Sequence, residues 1–470
     1  MPVINPTQVP SDRIRAARAL VDQGEYEPAE ALLRAVMTDD GSTAELAAAT
    51  ALVGRIALER HLSSEPDTDA CGDYLRSAFD AYAGPFRGDP GLRSHGAAAV
   101  VVQLRAERHG VALDNGLDVT AVATAIAESI DMEDRSTEPA DLGIAAETHL
   151  ALGNFNEALA YTIEYVHRSH ADAEAIAARL RQIVTVWDLT EAEAPGRRII
   201  PFLHAELLQR AGGRVDLHRG GGTAAGLRRL LKNKLYEAVL GPSYQNVQFL
   251  ELARRRSESV ALVQDATGHH WGSAVVVKPA GFVLDPTIDL APKEVLVLTS
   301  AHVIGDTDGA LSINDARIRF EHSPTDESYQ IAEVVSRSAV EDLDFVLVRT
   351  EPPLIGHRAV PIARNATTAS GQVGIIDHGT DGLALASFAG NETIGADAES
   401  LHYRSAVEHN SGGSPVMNER WELIGLHQSG GVPFRSDTDE QYASANKAIR
   451  IGAITEAATE IDLRDPSTVR

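Results

Sequence analysis

From about Asp12 to Arg210 apolar residues recur every third and fourth position among Ala, Leu, Glu and Arg, the period of helices with one buried stripe. This predicts helices throughout, among them segments near 44–61 and 74–82. From about Ser259 the rhythm changes to short β-branched runs bounded by Gly, Pro and Asp, which predicts strands at 272–278, 295–298, 316–320, 345–349, 373–376 and 423–427. Between them Gly220, Gly221 and Gly222 precede a basic amphipathic run from Leu227 to Tyr236, expected as one helix. It is no phosphate loop, because Leu227 rather than a lysine follows Gly226. Arg197, Arg198 and Pro201 are expected to break a helix. The expected organisation is a helical domain over 1–215, a basic linker and helix over 216–258, and a β-rich domain over 259–470.

At 470 residues either half can bury its own core. A formal net charge of −25 argues against nucleic acid and anionic membrane as partners, since both need concentrated positive charge. Cys71 is the only cysteine, so no disulfide joins two parts of the chain, and a reducing cytoplasm is the expected location. The start lacks a basic and apolar leader, and no apolar run approaches the ~18 residues of a membrane span. His269, His270, His402 and His409 have no metal-ligand spacing, so neither metal nor cofactor is expected.

Two helical stretches share a local pattern: Gly24, Tyr26, Ala29, Leu33 and Val36, then Gly153, Phe155, Ala158, Thr162 and Tyr165. Each resembles the second half of a tetratricopeptide repeat, in which the glycine ends one helix and the alanine admits a close neighbour. The tryptophan of that repeat is missing from both, and an ordinary helical bundle is the alternative. The resemblance implies a concave surface for a protein partner, a regulatory protease among the candidates.

The β-rich half carries three ordered motifs. Val295 to Ile304 is an apolar run through Thr299-Ser300-Ala301-His302, Glu341 to Val348 sets Asp342 and Asp344 before another, and Asn410-Ser411-Gly412-Gly413-Ser414-Pro415-Val416 precedes Leu423 to His427. These resemble the trypsin-like serine proteases of the chymotrypsin fold, and within them the bacterial glutamyl-endopeptidase branch. The expected class is therefore multidomain, a repeat-like all-α domain followed by an all-β double barrel. The resemblance implies a serine endopeptidase acting on protein or peptide, with His302 as general base and Asp344 as the acid that orients it; Asp342 has the same strand parity.

For the nucleophile the family pattern allows two frames. Without gaps, anchored at Tyr403, Pro415 and the Gly-Leu-His triplet, the slot falls on Gly412, which has no hydroxyl. That frame makes the chain a disarmed peptidase, engineered or natural, or a scaffold that binds partners without cutting. With one inserted residue, Ser411 is the nucleophile. The resemblance implies an oxyanion hole at Asn410 and Gly412 and a substrate pocket at Val407, His427, Ser429 and Gly430. Activation by a new N-terminus is not expected, because Ser411 replaces the aspartate that would receive it. Arg254, Arg255 and Arg256 read either as a solvated helix face or as a processing site between the halves.

Overall fold

The computed structural model describes residues 12–38, 42–65, 68–132, 139–168, 170–217, 224–282, 284, 288–307, 309–321, 327–363, 371–379, 382–405, 411–435 and 442–460. The chain divides into two compact units, Met1–Ile200 with Leu235–Gly241, and Pro201–Lys234 with Pro242–Arg470. Among the described residues no helix is long and apolar enough to cross a membrane.

The first unit is helical. Asp12–Asp22, Tyr26–Thr38, Thr43–Ser63, Asp69–Gly88, Arg93–Arg108, Val119–Met132, Pro139–Ala151, Phe155–Arg168 and Ala173–Arg181 follow one another, the last running into a π-helix at Gln182–Val186. Gly24 (φ 78°) and Gly153 (φ 72°) end their helices in the left-handed region, where a side chain would be strained. Ala29 and Ala158 behind them are fully buried. The core is a succession of local clusters: Ile14, Leu33 and Leu52 share one, Ala57, Leu75 and Val102 the next, and Ala97, Ile130 and Leu142 a third. Thr43–Ser63 supplies two of them, which explains why its apolar residues are spread around the helix. A capping box starts that helix: Glu45 N–H donates to Ser42 Oγ, and Ser42 N–H donates to the Glu45 carboxylate.

The helix expected to break at Pro201 does not. It runs Gly196–Leu208 with the proline inside; Pro201 lies past the first turn, so the helix carries on without the bond its N–H would have made to Arg197 O. The single basic helix expected over 227–236 is two, Ala224–Leu231 and Lys234–Leu240, parted where Asn233 N–H turns back to Leu230 O.

The second unit is β-rich and of the chymotrypsin type. A short strand β1 (Arg214–Asp216) comes first. It is succeeded by β2 (Val260–Gln264), β3 (His270–Val277), β4 (Leu296–Thr299), β5 (Arg317–Arg319), β6 (Ser328–Arg337) and β7 (Val346–Glu351), which close a barrel in the order β2-β3-β4-β7-β6-β5. The remaining strands are β8 (Gly374–His378), β9 (Ala384–Ser387), β10 (Thr393–Ala396), β11 (Ser400–Tyr403), β12 (Pro415–Met417), β13 (Leu423–Arg435) and β14 (Tyr442–Arg450). With β1 they form an eight-stranded sheet, β1-β9-β8-β12-β13-β14-β11-β10. Val263, Ala274, Val297, Ile318 and Val348 fill the barrel; Val373, Ile375, Tyr403, Val416 and Ile424 belong to the core of the sheet.

Two registers bring distant segments of this unit together. Thr299 of β4 faces Val346 of β7, so the segments just beyond, 300–302 and 344–345, lie side by side. Pro415 of β12 faces Leu426 of β13, which sets the turn before β12 against His427.

Helix Tyr244–Ser257, in the stretch read as linker, packs on this sheet. Phe249 lies 5.1 Å from the Trp421 ring and 4.6 Å from Phe388, and Arg256 Nε donates to Trp421 O at 2.9 Å. Arg254 is buried and meets His204 Nδ1 at 3.2 Å. The processing-site reading of 254–256 is corrected here: the run is the last turn of a packed helix, and a processing enzyme needs extended, accessible chain. The solvated-face reading fails at Arg254 for the same burial. Since Trp421 is fully enclosed, Trp421→Ala is expected to lower the unfolding free energy of this unit by ~3–5 kcal/mol, read as a fall in the urea midpoint; an unchanged midpoint would show that the aromatic cluster does not hold the helix.

Candidate active site

The imidazole of His302 and the carboxylate of Asp344 meet as the register requires. His302 Nδ1 lies 2.7 Å from Asp344 Oδ2, and the His302 backbone N–H donates to Oδ1 at 2.9 Å. Asp344 is buried and held at φ 44°, with its own N–H bonded to Ala339 O. Asp342 is exposed on the same turn, so of the two acids left open by strand parity it is Asp344 that reaches the ring. The two-point contact fixes the tautomer: Nδ1 carries the proton toward the acid, and Nε2 is left as the basic nitrogen.

Nε2 faces the turn at 411–414. A Cβ built on Gly412 would lie 2.4 Å from His302 Nε2 and 2.9 Å from Val303 Cγ2. The side chain of residue 412 would thus project at the base, and in its absence the imidazole occupies that space. The turn is held from two sides: Ser273 N–H donates to Gly412 O at 2.9 Å and Gly413 N–H donates to His427 O at 3.0 Å. Gly413 (φ 77°) tolerates no side chain, because a Cβ there would stand 2.2 Å from Ser273 O. Ser411 points elsewhere. It is buried, and its hydroxyl donates to Asp377 Oδ2 at 3.1 Å.

Asp377 and Arg214 were not anticipated. Asp377 was legible only as an acid just after the apolar run at 373–376, whereas no local signal marked Arg214. Asn410 and Val407, the expected oxyanion and pocket residues, lie outside the described residues, as does His409. Ser429 is half-buried and Gly430 exposed, both on β13 next to a bulge. His427 is buried, with Nδ1 2.6 Å from the Tyr403 hydroxyl. Burial, then the neighbouring His302, lowers its pKa to about 4, while burial raises that of Tyr403. The phenol is therefore the donor and His427 a neutral imidazole with its proton on Nε2.

Residues 272–426 match the family model of the trypsin-like peptidase domain. The match spans His302, Asp344 and the 411–414 turn. Among solved structures, a Glu endopeptidase in complex with MPD is similar at 13% identity over 43% of this chain and 88% of that chain, with a TM-score of 0.30. A human pathogenic astrovirus serine protease is similar at 12% identity over 46% and 94%, with a TM-score of 0.26. No curated protein matches the chain.

His427 gives the unit a pH dependence. Its folded pKa of about 4 lies below the ordinary 6.5, so between those values the unfolded chain binds a proton that the folded chain refuses. Its contribution to stability is complete above pH 6.5 and is lost as the pH falls toward 4. The denaturation midpoint of the parent should fall more steeply across that window than that of His427→Gln; parallel curves would refute the assignment.

Proposed function

We propose that the second unit is a serine endopeptidase of the trypsin type, with base and acid in place and the nucleophile slot at Gly412, so that the chain as written holds a peptide without cutting it. The observation that carries this reading is the direction of the missing Cβ at 412, aimed at His302 Nε2. The inserted-turn frame requires a Ser411 hydroxyl at the base, whereas that hydroxyl is bonded to Asp377. With a serine at 412, His302 would take its proton as the oxygen attacks the peptide carbonyl. Asp344 would hold the imidazolium, and the backbone N–H of residue 412 would supply an oxyanion donor beside that of Asn410.

A substrate strand has a place to bind. β12 pairs with β13 only from Leu423 to Leu426, and among the described residues no strand covers that edge of β13 at Ser429 and Gly430. Main-chain pairing there would set a side chain before His427. The Nε2–H of a neutral His427 suits a carboxylate or carbonyl acceptor, which is the support for a glutamate preference. The helical unit, read as tetratricopeptide-like, would select the protein partner: its left-handed glycines and buried alanines at 24, 29, 153 and 158 fit that repeat. A single cysteine suits a reducing cytoplasm.

A fluorophosphonate probe tests the reading. The chain as written should stay unlabelled, Gly412→Ser should label at residue 412, and adding His302→Ala should cut labelling by at least ~10³-fold. Labelling of the parent at Ser411 would overturn the frame, and silence of Gly412→Ser would leave a non-catalytic scaffold as the function.

A further inference from the structure

The turn at 411–414 has a third anchor besides Ser273 and His427, and it begins far away in the chain. Ser411 Oγ donates to Asp377 Oδ2 at 3.1 Å, and Asp377, 3% exposed on β8, is met by Arg214 Nη2 at 3.3 and 3.4 Å through its two oxygens. Arg214 lies on β1, where Arg214, Val215 and Asp216 pair with Ser387, Ala386 and Leu385 of β9. Leu217 N–H to Ala384 O and Ala389 N–H to Leu208 O extend the pairing on either side. A three-residue strand at a sheet edge has little packing of its own, yet it delivers a guanidinium to a buried acid one residue from the nucleophile slot.

We propose that Arg214, through Asp377 and Ser411, positions the 411–414 turn, so that β1 is a working part of the peptidase site although it precedes the matched domain by more than fifty residues. The proposal rests on Gly412 being the slot. A buried carboxylate needs paired charge and hydrogen bonds to stay ionised. Arg214 supplies the charge, and the ionised acid can then accept from Ser411, fixing the rotamer of the residue that leads into the slot. Without Arg214 the buried acid loses its guanidinium contact, and its hold on Ser411 and the turn is weakened. Arg214 also lines a cavity of about 400 Å³ with Gly212, Gly213, Ser387, Asn391 and Asn446, so a small solute can reach its position. One nitrogen contacts both carboxylate oxygens, a point-charge contact rather than a two-pronged fork, and a free guanidinium ion can reproduce it.

Hydrogen–deuterium exchange on the full chain as written tests this without any need for catalysis. Arg214→Ala and Ser411→Ala should each speed exchange in peptides spanning 411–417 by roughly tenfold or more, with β4 and β7 unchanged. Millimolar ethylguanidinium should restore protection to Arg214→Ala and not to Ser411→Ala, which a loss of fold would not allow. In the Gly412→Ser background, Arg214→Ala should lower the maximal fluorophosphonate labelling rate and leave its pH profile unchanged in shape; Arg214→Lys should recover part of the rate. Parental exchange at 411–417 in a folded Ser411→Ala, or absence of rescue in Arg214→Ala, would overturn the proposal. Failure of Gly412→Ser to label would sink the peptidase reading alone, because the exchange arm stands without it.

Discussion

The site depends on how the turn at 411–414 is clamped. Ser273 of the barrel donates to the carbonyl of Gly412, and the carbonyl of His427 in the sheet receives the N–H of Gly413. Thr299 Oγ1 bonds Ser273 O, and Ser300 Oγ bonds His427 O, so the segment carrying His302 is tied to the same two strands. These are main-chain restraints or bonds from residues outside the turn. They set where the side chain of residue 412 points whichever residue stands there. That is why the slot keeps its aim at His302 with glycine in it, and why the close approach of Gly413 to Ser273 O admits no other residue.

How much the amino-acid order discloses depends on the range of the interaction. His302 and Asp344 were legible because each sits where an apolar strand meets a polar turn, and the β4–β7 register does the rest. Between Asp342 and Asp344 the sequence favoured Asp344 but left its neighbour open, since both share strand parity; the 2.7 Å contact of Asp344 with His302 Nδ1 decides it. Which of residues 411 and 412 faces His302 likewise needs the turn in three dimensions, where the Ser411 hydroxyl bonds Asp377 and a Cβ at 412 would meet Nε2. Arg214 and Asp377 are separated by 163 positions, and nothing local in Arg214-Val215-Asp216 announces a strand. The basic run at 254–256 misled in the other direction: composition suggested exposure, while the helix carrying it is held down by Phe249 and Trp421.

The helical unit shows the opposite economy of information. Its clusters join helices adjacent in sequence, so a period of three and four residues is most of the specification, with glycines such as Gly24 and Gly153 marking some of the turns. Such a core is built largely from neighbour contacts. The β unit is built from distant ones, with β1 reaching β9 and β2 closing onto β5. The matched segment at 272–426 leaves out β1, β2 and β14, strands that the unit uses.

The pair His302–Asp344 bears on what the glycine means. Among the described residues, both hydrogen bonds to the Asp344 carboxylate come from His302, so a buried charge relies on a single neighbour. Apolar residues of the same volume would serve packing at least as well, because desolvating an ionised acid costs several kcal/mol that a single partner only partly offsets. The pair is therefore explained by what an oriented imidazole can do rather than by what it holds together. With Nε2 2.4 Å from the position of a Cβ at 412, the imidazole would have to give way to a serine there, which places the base directly at that side chain. On the proposed reading, a peptide-holding module and a peptidase differ here by one methylene and one hydroxyl, at a place where the surrounding chain already points them.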